Sequence, residues 1–268
     1  MVKYDPFIIA EIGINHQGSL KKALKLVDAA KNSGASAVKF QTYVTEKRVK
    51  KDSPIFNILK KCELSHESFI KIKKYCDKKK ILFFSTAFDK ESVVFLNKIK
   101  VKLFKIASFN ISDYDLINEI IKTKKPVIIS TGMATLKEIK KIIKKFKNKK
   151  INHSILHCVS NYPNKEENSY LNNIRYLKNN FDCSVGLSDH TNDIKTSIYS
   201  YLMGATIIEK HFKISEKDQC VDAAVSISPK KMKNLVIEIK LIKKILGRVQ
   251  FGVRKVEKNI KQFKKISS

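Results

Sequence analysis

Arginine is scarce in this sequence. Of its 54 basic residues only four are Arg (Arg48, Arg175, Arg248 and Arg254), which leaves 50 Lys. Proteins that read bases and phosphates lean on the planar guanidinium fork, which a point-charged ammonium does not replace. The scarcity argues against sequence-specific nucleic-acid recognition and leaves only nonspecific attraction to anions. Acidic residues are few as well, 25 against 54, giving a formal net charge of +29. With Asn and Ile also plentiful, this reads as compositional drift toward Lys on a solvated surface. No apolar run approaches the roughly 20 residues of a membrane-spanning helix. The first nine residues, interrupted by Lys3, Asp5 and Pro6, are too short for a signal peptide. The five cysteines (Cys62, Cys76, Cys158, Cys183, Cys220) lie far apart and form no C-x-x-C. That excludes a disulfide framework and a structural zinc site, and predicts reduced thiols in a cytoplasmic protein.

What is present is enough for a core. Hydrophobic residues make up 43 % of the 268 and aromatics 9 %, too much for a disordered chain. Short apolar runs alternate with amphipathic ones. FIIAEIG (7–13), AVKFQTY (37–43), LFFSTAF (82–88), LFKIAS (103–108), PVIIST (126–131), HSILHC (153–158), SVGLSD (184–189) and TIIEKHF (206–212) read as strands. Helices are predicted at 19–33, 65–80, 90–99, 113–124, 135–149, 171–180, 192–203 and 229–246. Ser19, Ser65, Asp113 and Thr135 are the expected N-caps, and Gly34 and Gly247 the stops. Strands this apolar are buried on both faces, as parallel strands are. Eight β–α units in about 250 residues match a closed (β/α)8 TIM barrel. A doubly wound open sheet would carry a glycine fingerprint after its first strand; here that turn is G-I-N-H-Q-G. Residues 1–247 are therefore expected to form the barrel, and 248–268 a basic surface extension.

The anomaly lies inside the strands. Glu11 interrupts the first. Lys39 and Gln41 share one face of the second, opposite Val38 and Phe40. Ser85 and Thr86, Lys105 and Ser108, and Ser130 and Thr131 follow. His157 and Cys158, with Ser160 and Tyr162 just beyond, end the sixth strand. Ser188 and His190, then Glu209 and His211, complete the set. Most lie toward the C-terminal strand ends, where a barrel builds its active site. Buried charges cost several kcal/mol unless paired, so the bland reading is a set of mutually satisfied ion pairs. Lys39 and Lys105 beside Thr86, Ser108 and Ser130 suit a phosphate or carboxylate. His190 and His211 near Glu209 suit a divalent metal with positions left for water and substrate. The Lys-rich 137–150 stretch reads as a solvated helix face.

The motifs A-E-I-G-I-N-H-Q-G (10–18), V-K-F-Q-T-Y (38–43), F-S-T-A-F-D (84–89), K-I-A-S (105–108), I-S-T-G-M (129–133), H-C-V-S-N-Y-P (157–163), V-G-L-S-D-H-T (185–191) and I-E-K-H-F (208–212) resemble the sialic acid synthase family, over residues 7–247 in order. The resemblance implies condensation of phosphoenolpyruvate with an N-acylated amino sugar such as N-acetylmannosamine. The products are a sialic-acid-like nonulosonic acid and phosphate, and the cofactor a divalent metal, Mn2+ or Mg2+. It assigns phosphoenolpyruvate to Lys39, Thr86, Lys105, Ser108, Ser130, Ser160, Tyr162 and Ser188. It assigns the sugar to Glu11, Gln41, Tyr162 and Asp222, the metal to His190 and His211, and catalysis to Glu11, Lys105 and Glu209. It further implies a homodimer, acting on small molecules and not on nucleic acid or membranes.

Three departures stand out. The family usually carries an antifreeze-like lid domain after the barrel, which is not expected before Ser268, so three alternatives stay open: a separate lid-bearing protein as partner, the tail in its place, or an open and slower site. Asn110 stands where many members have an acid. Ala223 follows Asp222 where a His is usual, and Ser160 replaces an Asn; both changes lie on the sugar side. Two alternatives stay open. One is a related 3-deoxy-2-keto sugar acid synthase acting on a phosphorylated sugar. The other is a non-catalytic sugar-binding barrel.

Overall fold

The computed structural model describes residues 6–265. Its strands are β1 (Phe7–Gly13), β2 (Ala37–Thr42), β3 (Leu82–Ala87), β4 (Phe104–Ile106), β5 (Val127–Ser130), β6 (His153–Cys158), β7 (Ser184–Asp189) and β8 (Ile207–His211). They pair in sequence order, all parallel, and β8 closes on β1. The expected (β/α)8 barrel is the fold.

The helices are α1 (Leu20–Asn32), α2 (Thr45–Arg48), α3 (Phe56–Cys62), α4 (His66–Lys79), α5 (Lys90–Lys98), α6 (Tyr114–Lys122), α7 (Leu136–Asn148), α8 (Asn172–Asn180), α9 (Lys195–Leu202) and α10 (Pro229–Leu246). The four expected caps hold: Ser19, Ser65, Asp113 and Thr135 each accept a first-turn N–H. Gly34 and Gly247 follow their helices at positive φ, as helix-ending glycines do. α9 begins later than 192 because Asp189 and Asp193 capture the N–H groups of Thr191 and Ile194. Such local side-chain bonds compete with helix. The stretch between β2 and α4, read from sequence without elements, contains α2 and α3. The fourth strand is shorter than 103–108, because Ser108 opens a 3-10 turn.

Two apolar layers hold the barrel. Val38, Phe40, Phe83, Ile106 and Ile129 point outward into the helix packing. Ile9, Ala37, Phe84, Ile128, Leu156 and Ile207 point inward and fill the N-terminal half of the barrel. Two residues further along the same inner faces stand Glu11, Lys39, Thr86, Ser130, Cys158 and Glu209. With a side-chain period of two, the interior changes from oil to charge in one layer.

Beyond β1, His16 is buried and stacks on Phe40 at 5.9 Å. Its Nδ1 accepts the Gly18 N–H at 3.1 Å, and burial lowers its pKa to about 4. Below pH 6.5 the unfolded chain takes up a proton that the folded one refuses until about pH 4. Stability from this group therefore falls as the pH drops through that window, by roughly 3 kcal/mol in full. In urea unfolding at pH 7 and pH 5, His16→Gln should show a shallower loss than the parent chain. Equal losses would remove His16 as the cause.

Candidate active site

The C-terminal end of the barrel opens into a cavity of about 250 Å³. Its floor is a four-charge cluster from four strands. Lys39 Nζ lies 2.8 Å from Glu11 Oε1 and 3.5 Å from Glu209 Oε1, and donates to Thr86 Oγ1 at 3.0 Å. Lys105 Nζ donates to Ser130 Oγ at 2.6 Å and lies 3.6 Å from Glu209 Oε1. Ser188 donates to the same Glu209 oxygen at 3.3 Å. All four charged side chains are buried. The ion pairs of the bland reading are therefore real, yet they are incomplete. Glu11 Oε2 and Glu209 Oε2 have no hydrogen-bond partner, and a buried polar atom left so is costly.

The environment separates like groups. Burial pushes the Glu11 carboxyl up against the pull of Lys39, and nearby Glu209 adds to the push. Burial acts on Glu209 in the same sense, but Lys105 and Lys39 together hold its carboxyl below the usual range. Burial also lowers Lys105, while Glu11 and Glu209 outweigh burial at Lys39 and raise it. Pairs of titratable groups driven apart in this way mark acid and base roles. Of the two carboxyls, Glu11 is the one that holds its proton more tightly.

The two histidines stand beside this floor. Their rings are 5.5 Å apart, and Tyr162 packs on both, at 4.0 Å from His190 and 5.9 Å from His211. His190 Nδ1 lies 2.8 Å from the Val159 carbonyl. Donation there leaves Nε2 as a lone pair, the arrangement that orients a metal-binding imidazole. Asp222 Oδ2 lies 3.3 Å from His211 Nδ1 without completing a hydrogen bond. Burial opposes the Asp222 carboxylate, but His211, His190 and Arg48 keep its pKa low. Among the described residues no three His, Cys, Asp or Glu side chains converge as a closed metal cage. Two imidazoles with open positions fit an ion shared with substrate and not a structural site.

Gln41 and Asp222 converge on Glu11 from above the floor. A Cβ built on Gly13 would lie 3.2 Å from Gln41 Nε2, 3.3 Å from Glu11 Oε1 and 3.4 Å from Asp222 Oδ2. Gly13 has φ +53°, so glycine serves both the backbone and the space. Asn15 fixes the Asp222 segment: its Oδ1 accepts the Asp222 N–H, and its Nδ2 donates to Phe212 O and Ser226 Oγ, each at 2.9 Å.

Thus Glu11, Lys39, Gln41, Thr86, Lys105, Ser108, Ser130, Tyr162, Ser188, His190, Glu209, His211 and Asp222 all line one cavity. Ser160 does not. It lines a neighbouring outer groove, where a Cβ on Gly132 would meet its Oγ at 2.3 Å and that of Ser108 at 2.8 Å. Asn110 is also outside the cavity lining, and its Nδ2 reaches Asp113 at 3.4 Å. His157 points away from the barrel interior, to the Ser169 carbonyl.

Sequence reasoning missed several residues. Arg48, Phe88, Phe109, Ile55, Ile58 and Val221 complete the mouth; all but Phe88, which directly follows β3, come from loops or short helices without strand periodicity. Lys210 and Asp189 were missed because they face outward. They pair at 3.2 Å, fully buried, and Lys210 also bonds Thr191. This ties together the strand ends that carry His190 and His211. The signal for Lys210 was available: a Lys between two inward residues of a buried strand must find a partner.

The family model described as NeuB family matches residues 26–251. An uncharacterised protein of Methanocaldococcus jannaschii is 43 % identical over 90 % of this chain and 72 % of its own length. The N,N'-diacetyllegionaminic acid synthase of Campylobacter jejuni is 36 % identical over 94 % of this chain and 80 % of its own. The crystal structure of the sialic acid synthetase of Leptospira borgpetersenii superposes with a TM-score of 0.93 at 36 % identity, covering 97 % of this chain and 91 % of that one. Matched in sequence over most of its length and in structure over nearly all of it, the chain belongs to the NeuB family.

Proposed function

We propose that the protein condenses phosphoenolpyruvate with an N-acylated amino sugar, giving a nonulosonic acid and inorganic phosphate. The observation that carries this reading is the buried Lys39–Lys105 pair, framed by hydroxyls and standing beside His190 and His211 in one cavity. Relatives named for legionaminic, pseudaminic and sialic acid synthesis support it.

Each group has a role. Lys39, Lys105, Thr86, Ser108, Ser130 and Ser188 hold the phosphate and carboxylate of phosphoenolpyruvate. Gln41, Tyr162 and Asp222 orient the open-chain sugar. The enol carbon forms a bond to the sugar aldehyde carbon, and Glu11 delivers a proton to the oxygen that becomes a hydroxyl. Water adds at the carbon bearing the phosphate, which has become an oxocarbenium, and Glu209 takes one of its protons; the resulting hydroxyl then becomes the keto oxygen, passing its proton to the departing phosphate as the carbon–oxygen bond breaks. Lys105 meets the charge on the departing phosphate, preorganised by Ser130. A divalent ion on His190 and His211 would supply Lewis-acid polarisation of the aldehyde oxygen.

Residues 1–247 are proposed as the catalytic barrel and 248–268 as a surface extension; residues 1–5 and 266–268 lie outside the described ones. Exposed Ile55, Ile58, Phe109 and Val221 on the rim support a second polypeptide over the mouth, in a homodimer or as a separate lid. No helix among the described residues is long and apolar enough to cross a membrane, and all five cysteines are free.

The test is phosphate release from phosphoenolpyruvate with Mn2+ and a panel of N-acyl amino sugars. Chelator should stop it. Folded protein that releases nothing with any sugar would overturn the reading.

A further inference from the structure

Arg48 is the one arginine in the cavity wall. It ends α2, and its guanidinium lies 3.7 Å from the Phe88 ring centre and 4.6 Å from that of Tyr43. One N–H donates to Gln41 Oε1 at 3.0 Å. A guanidinium has five such donors, and among the described residues no other partner is supplied. Lys39 and Lys105 each have a carboxylate within 4 Å. Arg48 has none at that distance among the described residues.

The choice of arginine is informative in this chain. Every other cation–π contact of the described residues is made by lysine: Lys79 on Tyr75, and Lys141 and Lys145 on Tyr114. Where stacking alone is needed, lysine serves. At position 48 a planar fork stands in a chain of 50 Lys to four Arg. A fork fixed between two rings, with free donors facing a cavity, matches the oxygens of a phosphate or carboxylate two at a time.

Its place fixes which part of a ligand it meets. From floor to rim, Lys39 contacts Glu11 at 2.8 Å, Gln41 contacts Glu11 at 3.4 Å, and Arg48 contacts Gln41 at 3.0 Å. A sugar whose reacting carbon stands at Glu11 and the histidines carries its far end to Arg48. We infer that Arg48 selects an amino sugar bearing an anionic group at the end remote from its aldehyde, a phosphate ester above all. This rests on the synthase reading and names its substrate class.

The experiment compares N-acetylmannosamine with its 6-phosphate, in the presence of phosphoenolpyruvate and Mn2+, for the parent chain, Arg48→Lys and Arg48→Leu. The parent should favour the phosphorylated sugar in kcat/KM by about tenfold or more. Arg48→Leu should lose roughly 100-fold on that sugar and less than about threefold on the neutral one, with Arg48→Lys between, since its point charge lacks the fork. Turnover of the neutral sugar without preference, or an equal loss on both sugars, overturns the inference and leaves the synthase reading standing. Titration calorimetry with the sugar phosphate reads the contact apart from turnover. Binding weakened by Arg48→Leu supports the inference even if neither sugar turns over, a result that would count against the synthase reading alone. Absence of binding overturns it.

Discussion

His211→Ala is expected to lower turnover by at least about 1000-fold, while the circular dichroism and urea midpoint stay close to those of the parent. Such a loss equals about 4 kcal/mol of transition-state stabilisation, within the range a Lewis acid at the reacting oxygen supplies. The barrel should tolerate the change because His211 lies above the apolar layer, and its Nδ1 makes no hydrogen bond that the fold requires. Tyr162 and His190 keep their mutual stacking. A single imidazole does not hold a divalent ion against water, so calorimetric Mn2+ binding should vanish with the activity. Unchanged turnover would overturn the metal assignment. Lost turnover with Mn2+ binding intact would move His211 from ion holding to substrate contact.

Lys105→Met should raise the KM for phosphoenolpyruvate by roughly 30- to 100-fold, the worth of a lost charge-assisted contact, and leave the sugar KM within about threefold. The substitution keeps the length of the side chain and removes its charge. Ser130 then loses its donor at 2.6 Å, and Glu209 loses the cation at 3.6 Å. Lys105 and Lys39 are what hold Glu209 below the ordinary carboxylate range against burial. Without Lys105 the Glu209 pKa rises, so the acid limb of the pH–rate profile should move to higher pH. An effect confined to sugar affinity would contradict the phosphate role. An unmoved acid limb would take Glu209 out of the rate-determining proton transfers.

The fold was legible because the strands are apolar on both faces and the helices carry their caps in sequence. Most of the site was legible for the converse reason. Glu11, Lys39, Lys105 and Glu209 break apolar runs at a period of two, and a charge placed there must meet a partner or a ligand. Arg48 shows where that logic stops. It lies in the 44–63 stretch, which has no strand or long-helix period. Only the folded loop brings it against Phe88, 40 positions along the chain. Ser160 shows the opposite limit. Its motif points to the phosphate pocket, but the residue lines the neighbouring groove, with its hydroxyl on the same side of Gly132 as that of Ser108. Asn15 was hidden too, since a buried amide is explained only by the three segments that it joins.

The inward apolar layer of Ile9, Ala37, Phe84, Ile128, Leu156 and Ile207 has a kinetic consequence. It makes the barrel a blind shaft, stoppered at one end. Lys105 and Ser130 sit one layer above the stopper, whereas Gln41 and Arg48 climb toward the rim. Reactants and products share a single doorway, so whatever is seated deepest must arrive first and depart last. On the roles proposed above, initial-rate kinetics are expected to be compulsory-order, with phosphoenolpyruvate binding ahead of the sugar.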